Sequence, residues 1–260
     1  MKINNNPIGL FDSGVGGTSI WREINFLLPN ESCIYLADSK NAPYGQKSKE
    51  EIIDLCFKNT QFLLDQNCKL IVVACNTATT NAIKELRTKF KVPFIGIEPA
   101  IKPAAINSKT QKIGILATHG TLNSALFHEN VAKFSHVKII EQVGHRLVQL
   151  IEGGQLESNE VCTLLKQYLQ PMIDANIDFL VLGCSHYPYL IPAIKKILPH
   201  NIKIIDSGNA VAKQTSNVLL SEIGSRNAVD PSTQVFFTNG NPEVLKSILK
   251  DQTNVFAKVF

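Results

Sequence analysis

One type of segment occurs twice in this sequence: a short apolar run that ends in a small residue, then a cysteine and two polar residues. The first copy is the run 70–74 followed by Cys75, and the second is the run 179–183 followed by Cys184. Apolar, β-branched runs of this length are typical of buried strands. The chain therefore presents a thiol at the ends of two similar strands.

Two further pairs of segments indicate that the repeat extends beyond the cysteines. The segment 8–14 matches 113–119, and the segment 93–100 matches 203–210, in the same order and at nearly the same spacing as the cysteines. Collinear repeats at a constant spacing predict two copies of one folding unit. If the copies face each other, their two cysteines meet across one cleft.

Strand and helix patterns alternate along the chain. The clearest helix begins at Ser48, where Ser48 and Glu51 form a capping box before an apolar stripe. Such alternation predicts an α/β fold of two similar domains with mainly parallel sheets and an active site in the cleft between them. Strands are predicted near 8–11, 33–38, 69–74, 93–97, 112–117, 137–142, 179–183, 202–206 and 234–238, with a last one at 253–260.

Composition narrows the function classes. The chain has 260 residues, of which 44% are hydrophobic and 18% charged, enough for one large domain or two smaller ones. The net charge of +4 is dispersed, so nucleic acid is not expected as a partner. No run approaches the roughly 18 apolar residues of a membrane span, and the first residues lack a signal-peptide core. We expect a cytoplasmic protein with no membrane partner.

Cysteine spacing argues against disulfides and metal sites. The six cysteines are far apart and none forms a C-x-x-C pair, so neither a disulfide framework nor a zinc site is predicted. Cysteine is among the most frequently buried residue types. Cys33, Cys56, Cys68 and Cys162 are accordingly predicted to be small buried hydrophobes.

Polar residues follow the apolar runs at several places. In open α/β sheets, ligands bind at the carboxyl edge of the strands, where such residues gather. Seven residues lie at or just past a predicted strand end: Asp12, Ser13, Asp38, Cys75, Thr118, Cys184 and Asp206.

The glycine-rich turn 12–18 has two interpretations. It follows a strand, and Asp38 lies at the end of the next strand, as in dinucleotide-binding folds. However, its glycines read G-x-G-G rather than G-x-G-x-x-G, and Asp12 would place a negative charge near the pyrophosphate. We favour the second interpretation, in which backbone N–H groups of the turn bind a small carboxylate.

The turns after the two cysteines offer similar donors. Asn76, Thr77 and Ser185 add side-chain hydrogen-bond donors there, and Asp12 is suited to pair with a cationic amine. A ligand that carries both carboxylates and an ammonium group is an amino acid.

Two thiols around an amino acid predict a racemase, in which one thiolate removes the α-proton and the other thiol returns a proton to the opposite face. A free thiol is only partly ionised at neutral pH. His186 could deprotonate Cys184 or stabilise its thiolate as imidazolium, and Asp12 could accept a proton from Cys75 or orient it. Two alternatives stay open: a pyridoxal phosphate racemase, although no lysine shares this edge, and a non-catalytic amino-acid-binding protein.

The motifs taken together resemble those of the glutamate racemases, cofactor-independent members of the aspartate/glutamate racemase superfamily. The likeness runs from about residue 8 to residue 220, and its motifs stand in the family's order. They are the segments 12–17, 43–45, 74–79, 183–188 and 206–208.

The resemblance implies interconversion of L- and D-glutamate without a cofactor, supplying D-glutamate for peptidoglycan. It implies that Cys75 acts on D-glutamate, assisted by Asp12, and that Cys184 acts on L-glutamate, assisted by His186 and Glu152. It also implies a homodimer. The substrate contacts that it implies are Asp12, Ser13, Pro43, Tyr44, Gly45, Asn76, Thr77, Thr121, Ser185 and His186.

The resemblance further implies that residues 1–98 plus 211–260 form the first domain and 99–210 the second. The sequence departs from the family at two places. Ser185 replaces the usual threonine after the second cysteine, and 143–146 replaces a Cys-Pro pair before the helix that carries Glu152. Aspartate racemase is the nearest alternative activity, although the motif that ends in His186 favours glutamate.

Overall fold

A computed structural model describes residues 3–227, 231–250 and 254–260 of the chain. The strands are β1 Ile8–Asp12, β2 Cys33–Ala37, β3 Leu70–Val73, β4 Phe94–Gly96, β5 Lys112–Ala117, β6 Lys138–Val143, β7 Phe179–Gly183, β8 Lys203–Ile205, β9 Gln234–Thr238 and β10 Val255–Ala257. The α-helices are α1 Thr18–Leu27, α2 Lys49–Asp65, α3 Asn76–Lys89, α4 Ile101–Asn107, α5 His119–Leu122, α6 Ala125–Ala132, α7 Leu147–Glu152, α8 Asn159–Asp174, α9 Ile191–Lys195, α10 Gly208–Val218 and α11 Pro242–Leu249.

The strands form two parallel sheets. The larger sheet has the order β10-β9-β2-β1-β3-β4, and the smaller has the order β6-β5-β7-β8. The arrangement β2-β1-β3-β4 is thus repeated as β6-β5-β7-β8, with the cysteine-bearing strands β3 and β7 in equivalent positions. The predicted α/β fold with two similar parallel-sheet units is confirmed.

The predicted strand positions agree closely with the observed strands. Each prediction overlaps a strand of the structure, and for the first nine the ends differ by at most one residue. The last prediction, 253–260, is longer than β10 and begins at Thr253, which lies outside the described residues. The division into residues 1–98 plus 211–260 and 99–210 stays a prediction.

Local sequence rules account for the first helices. Ser48 accepts a hydrogen bond from the Glu51 N–H, and the Glu51 carboxylate accepts one from the Ser48 N–H, which confirms the predicted capping box at the start of α2. Helix α1 buries Trp21 and Ile24 on one face, and the Trp21 ring packs edge-on against Phe236 of β9 at 4.8 Å. None of the described helices is long and apolar enough to cross a membrane.

A buried ion pair joins four segments at the amino ends of the larger sheet. Lys69 Nζ lies 2.8 Å from Glu31 Oε2 and also donates to the carbonyl oxygens of Asn4 and Gly224. The second carboxylate oxygen of Glu31 accepts the backbone N–H of Arg226. Because both charged side chains are almost fully buried, each depends on the other for compensation.

Replacing Lys69 by methionine should therefore destabilise the protein by about 3–5 kcal/mol, since it leaves the Glu31 carboxylate buried without its cation. Urea unfolding measures the loss. The matched control is Lys246→Met, which breaks an exposed ion pair with Glu243 and should cost no more than about 1 kcal/mol. Equal losses in the two variants would contradict the role assigned to the buried pair.

Candidate active site

Cys75 lies at the junction of β3 and α3. It is the N-cap residue of α3, where its sulfur accepts the N–H of Ala78 at 3.4 Å and lies 3.6 Å from the Ser13 hydroxyl oxygen. Burial raises the pKa of the Cys75 thiol well above its ordinary value, and the negative charge of Asp12 raises it further. The group is thus held as a thiol, the form that can donate a proton.

Cys184 occupies the equivalent place after β7, and its sulfur lies 3.8 Å from His186 Nδ1. His186 is fully buried. Burial opposes the charged imidazolium, but hydrogen bonds to Cys184 and Glu152 and the charge of Asp12 outweigh it and raise the pKa of His186 well above its ordinary value. The second thiol therefore has a cationic partner, which is the environment that stabilises thiolates in proteins.

Glu152 stands at the end of α7 and makes the hydrogen bond to His186 that the resemblance implied. Its Oε1 lies 2.6 Å from His186 Nε2 and also accepts the Val15 N–H at 2.6 Å. Its Oε2 accepts the Ser39 hydroxyl at 2.8 Å. A carboxylate that is hydrogen-bonded to Nε2 of a histidine fixes the orientation of the ring.

The glycine-rich turn serves a purpose that differs from the predicted one. Its Val15 and Gly17 N–H groups donate to Glu152 and Asp12, so they are occupied by carboxylates of the protein itself. A Cβ at Gly14 would lie 1.9 Å from Glu152 Oε1, and one at Gly16 would lie 2.2 Å from His186 Nδ1. The glycines permit the close approach of these two side chains, and the prediction that this turn binds a ligand carboxylate finds no free donor at Val15 or Gly17.

Asp12 is completely buried beside Ser185 and His186 of the second unit. Its carboxylate accepts the Gly17 N–H at 2.8 Å and the Ser185 hydroxyl at 3.2 Å, and it lies 3.9 Å from His186 Nδ1. Burial raises the pKa of Asp12 more than these favourable contacts lower it. A further cation near this carboxylate would be stabilised strongly.

A small cavity lies where the carboxyl ends of the two sheets meet. Both side-chain polar atoms of Asn76 are buried with no hydrogen-bond partner within the described residues. Buried amide groups are almost always paired, so Asn76 points to a polar ligand. The cavity is lined by Ser13, Pro43, Tyr44, Gly45, Cys75, Asn76, Thr77, Thr118, Val148, Cys184, Ser185 and His186.

Three of the predicted site residues lie behind this lining: Asp12, Thr121 and Glu152. Thr121 belongs to a cluster of hydroxyls in which Thr77 lies 2.8 Å from Thr118 and 3.2 Å from Thr121. Thr118 was not predicted to contact a ligand, although its position at the end of β5 placed it among the edge residues. Val148 was also missed, because an apolar residue on a helix carries no sequence signal for a binding site.

The other two edge aspartates have different surroundings. Asp38 accepts the Tyr44 hydroxyl at 2.5 Å and the Asn239 amide, so its carboxylate supports the Tyr44 loop and is not available to a ribose. Asp206 accepts the Gly208 N–H at the start of α10 and lines a separate concavity. The predicted edge thus supplies residues that line the cavity and residues, such as Asp38, that support neighbouring loops.

The remaining cysteines follow the prediction with one exception. Cys33, Cys56 and Cys68 are buried, whereas Cys162 is half-buried, so the prediction for Cys162 is wrong. In α8 it lies beside the apolar stripe rather than on it. Among the residues that the structure describes, no group of three or more His, Cys, Asp or Glu side chains is arranged to hold a metal ion.

The fold and the site together define an α/β protein in which two similar sheets share one cavity with a thiol from each. The pattern of the Asp/Glu/Hydantoin racemase family matches residues 16–215 of the sequence. The chain belongs to this family.

Within the family, the similar sequences are glutamate racemases. The glutamate racemase of Ralstonia pickettii is 46% identical over 244 residues, which cover 94% of this chain and 86% of that protein. The glutamate racemase of Pseudomonas aeruginosa is 42% identical over 253 residues, which cover 96% of this chain and 94% of that protein.

Solved structures agree with the sequences. Escherichia coli glutamate racemase in complex with L-glutamate has a TM-score of 0.88 and 33% identity, and the match covers 98% of each chain. The glutamate racemase of Francisella tularensis in complex with D-glutamate has a TM-score of 0.85 and 28% identity, again over 98% of each chain. A Picrophilus torridus aspartate racemase, at 17% identity and a TM-score of 0.57, shares the fold.

Proposed function

We propose that this protein interconverts L- and D-glutamate without a cofactor. Of Cys75 and Cys184, one removes the α-proton and the other gives a proton to the opposite face of the α-carbon. The observation that carries the proposal is the shared cavity, which receives one thiol from the β3 end and one from the β7 end. The glutamate racemases that resemble the chain over more than nine-tenths of its length support glutamate as the substrate.

The surroundings of the two thiols fit opposite roles in one reaction. With L-glutamate bound, the Cys184 sulfur, paired with the His186 imidazolium, takes the α-proton, and the Cys75 thiol delivers its proton to the other face of the carbon. The reverse reaction exchanges the roles. Asn76 and Thr77 supply side-chain donors for the substrate carboxylates. The Ser185 hydroxyl donates to Asp12, whose charge attracts the ammonium group.

The metabolic setting follows from the same proposal. D-Glutamate made by this reaction supplies peptidoglycan synthesis, and the enzyme acts in the cytoplasm as a homodimer. Light scattering combined with size-exclusion chromatography measures the oligomeric state directly, and a mass of one chain, 28.7 kDa, would contradict the dimer.

The activity is tested by α-proton exchange. Purified protein in D₂O, with no added cofactor, should remove the α-proton signal of both L- and D-glutamate in NMR spectra while the optical rotation of each decays to zero. The same measurement with L-aspartate is the control, and exchange should be much slower there.

Each other outcome selects a different function. Faster exchange with aspartate would identify an aspartate racemase. Binding of glutamate by a folded sample without any exchange would identify a non-catalytic amino-acid-binding protein. Visible absorbance of the purified protein that is required for activity would indicate pyridoxal phosphate.

A further inference from the structure

Glu152 belongs to a helix of one unit but accepts hydrogen bonds from loops of the other unit. Its two carboxylate oxygens accept the Val15 N–H and the Ser39 hydroxyl, and both donors belong to loops that follow strands of the larger sheet, β1 and β2. Helix α7 and His186 follow β6 and β7, which are strands of the smaller sheet. The hydrogen bonds of Glu152 therefore span the two units.

The orientation of this carboxylate matters because only one of its oxygens contacts His186. Oε1 lies 2.6 Å from His186 Nε2, while Oε2 is turned away and is bound by Ser39. The Glu152 side chain is only 13% exposed, so water offers little substitute for a lost partner. A hydrogen bond to a buried carboxylate is among the stronger ones in proteins.

The position of Ser39 is itself fixed by several contacts. Asp38, the preceding residue, is bound by the Tyr44 hydroxyl and by the Asn239 amide beyond β9. A Cβ at Gly240 would lie 2.7 Å from the Ser39 Cβ, so only glycine allows this close packing. The Ser39 hydroxyl thus comes from a well-supported turn rather than from a free loop.

We infer that Ser39 is a positioning residue for racemisation: it holds Glu152 so that His186 can support proton transfer by Cys184. The inference rests on the proposed function. Without the hydroxyl, Oε2 loses its partner and the carboxylate is held at Oε1 alone, by the Val15 N–H and His186. The contact that aims His186 Nδ1 at the sulfur is thereby weakened. The proton transfer at Cys184 should slow, whereas the transfer at Cys75 should keep its rate.

The test compares Ser39→Ala with Ser39→Thr. The alanine variant should lose about tenfold in kcat/KM, the order of one hydrogen bond to a charged group, and the threonine variant should retain activity because it keeps the hydroxyl. Ser247→Ala, which removes a surface hydroxyl on α11 that bonds Val244, is the matched control and should behave as the wild type. Thermal unfolding of all variants checks that the fold is preserved.

The deciding readout is the α-deuterium isotope effect on kcat/KM, measured from each enantiomer. If transfer at Cys184 becomes the slower step, the effect should rise with α-deuterated L-glutamate and fall with α-deuterated D-glutamate. A merely structural defect would lower activity and leave both isotope effects unchanged, which would overturn the inference. Full activity of the alanine variant would overturn it as well.

These results are separable from a failure of the proposed function. If the wild-type protein does not racemise glutamate, the proposed function itself is wrong. If the wild-type protein is active and Ser39→Ala shows no directional isotope effect, the proposed function stands and the role of Ser39 is wrong.

Discussion

Replacement of either Cys75 or Cys184 by serine is expected to abolish the racemisation of glutamate, with a loss of at least about 10³-fold in kcat/KM. A serine hydroxyl is far less acidic than a thiol, whose ordinary pKa is about 8.5, so it cannot serve as the base on its side of the α-carbon. Because the reaction needs one group to take a proton and another to give one, loss of either stops inversion. Steady-state polarimetry in both directions measures the effect.

The variants should remain folded. Serine at position 75 can still accept the Ala78 N–H as the N-cap of α3, since serine is a favoured residue there. Cys162→Ser is the matched control, because Cys162 is half-buried in α8 and does not line the cavity; its activity should equal that of the wild type. Full turnover by either the Cys75 or the Cys184 variant would refute the two-thiol scheme.

The same variants also test which thiol serves which enantiomer. The Cys75 variant retains Cys184 and should still exchange the α-proton of L-glutamate slowly in D₂O, without inversion. The Cys184 variant should do so only with D-glutamate. The reversed pattern would contradict the assignment implied by the family resemblance while preserving a role for both cysteines.

The sequence predicts the strands and their repetition because these depend on local patterns. Buried parallel strands such as β3 and β7 are continuous apolar runs, and the ends of such runs locate the polar edge. The spacing of the repeats then predicts that both cysteines stand at equivalent positions, which the strand orders of the two sheets confirm. The two cysteines can therefore be singled out from the amino-acid sequence alone.

The partners of Glu152 could not be predicted in this way. Glu152 lies 137 residues from Val15 and 113 residues from Ser39, and their contacts depend on how the two units face each other. The glycines of the turn after β1 suggested ligand binding, whereas two of them make room for Glu152 and His186. The available signal was a hydroxyl residue, Ser39, one position beyond the edge residue after β2, and its meaning depends on the tertiary structure.

The second large effect is expected for Asp12→Asn, which should reduce activity by at least about 100-fold and yet stabilise the folded protein. Activity falls because the variant lacks the carboxylate that attracts the substrate ammonium group and orients the Cys75 thiol. Stability rises because the buried cluster of Asp12, Glu152 and His186 has two carboxylates for one imidazolium. Replacing Asp12 leaves the Glu152 and His186 pair, whose hydrogen bond at 2.6 Å is retained.

The stabilisation should depend on pH in a defined direction. Burial raises the pKa of Asp12 above its ordinary value of 3.8, so the folded chain binds this proton more tightly than the unfolded chain. The free energy of unfolding contributed by Asp12 therefore decreases as the pH rises from 3.8 through the folded pKa, and it stays lower above that interval. Asparagine has no such titration, so the variant gains relative stability as the pH rises.

Calorimetry without added glutamate, from about pH 4 to about pH 8, measures this difference. Each kcal/mol of unfolding free energy shifts Tm by about 2–4 °C in a chain of this size. The two proteins should have similar Tm values at the acidic end, and the variant should have the higher Tm at neutral pH. Added glutamate should raise the Tm of the wild type more than that of the variant, because only the wild type offers the ammonium group a buried carboxylate. A variant that is less stable at every pH would show that the hydrogen bonds of Asp12 to Gly17 and Ser185 outweigh its burial, and that this carboxylate supports the fold rather than the reaction alone.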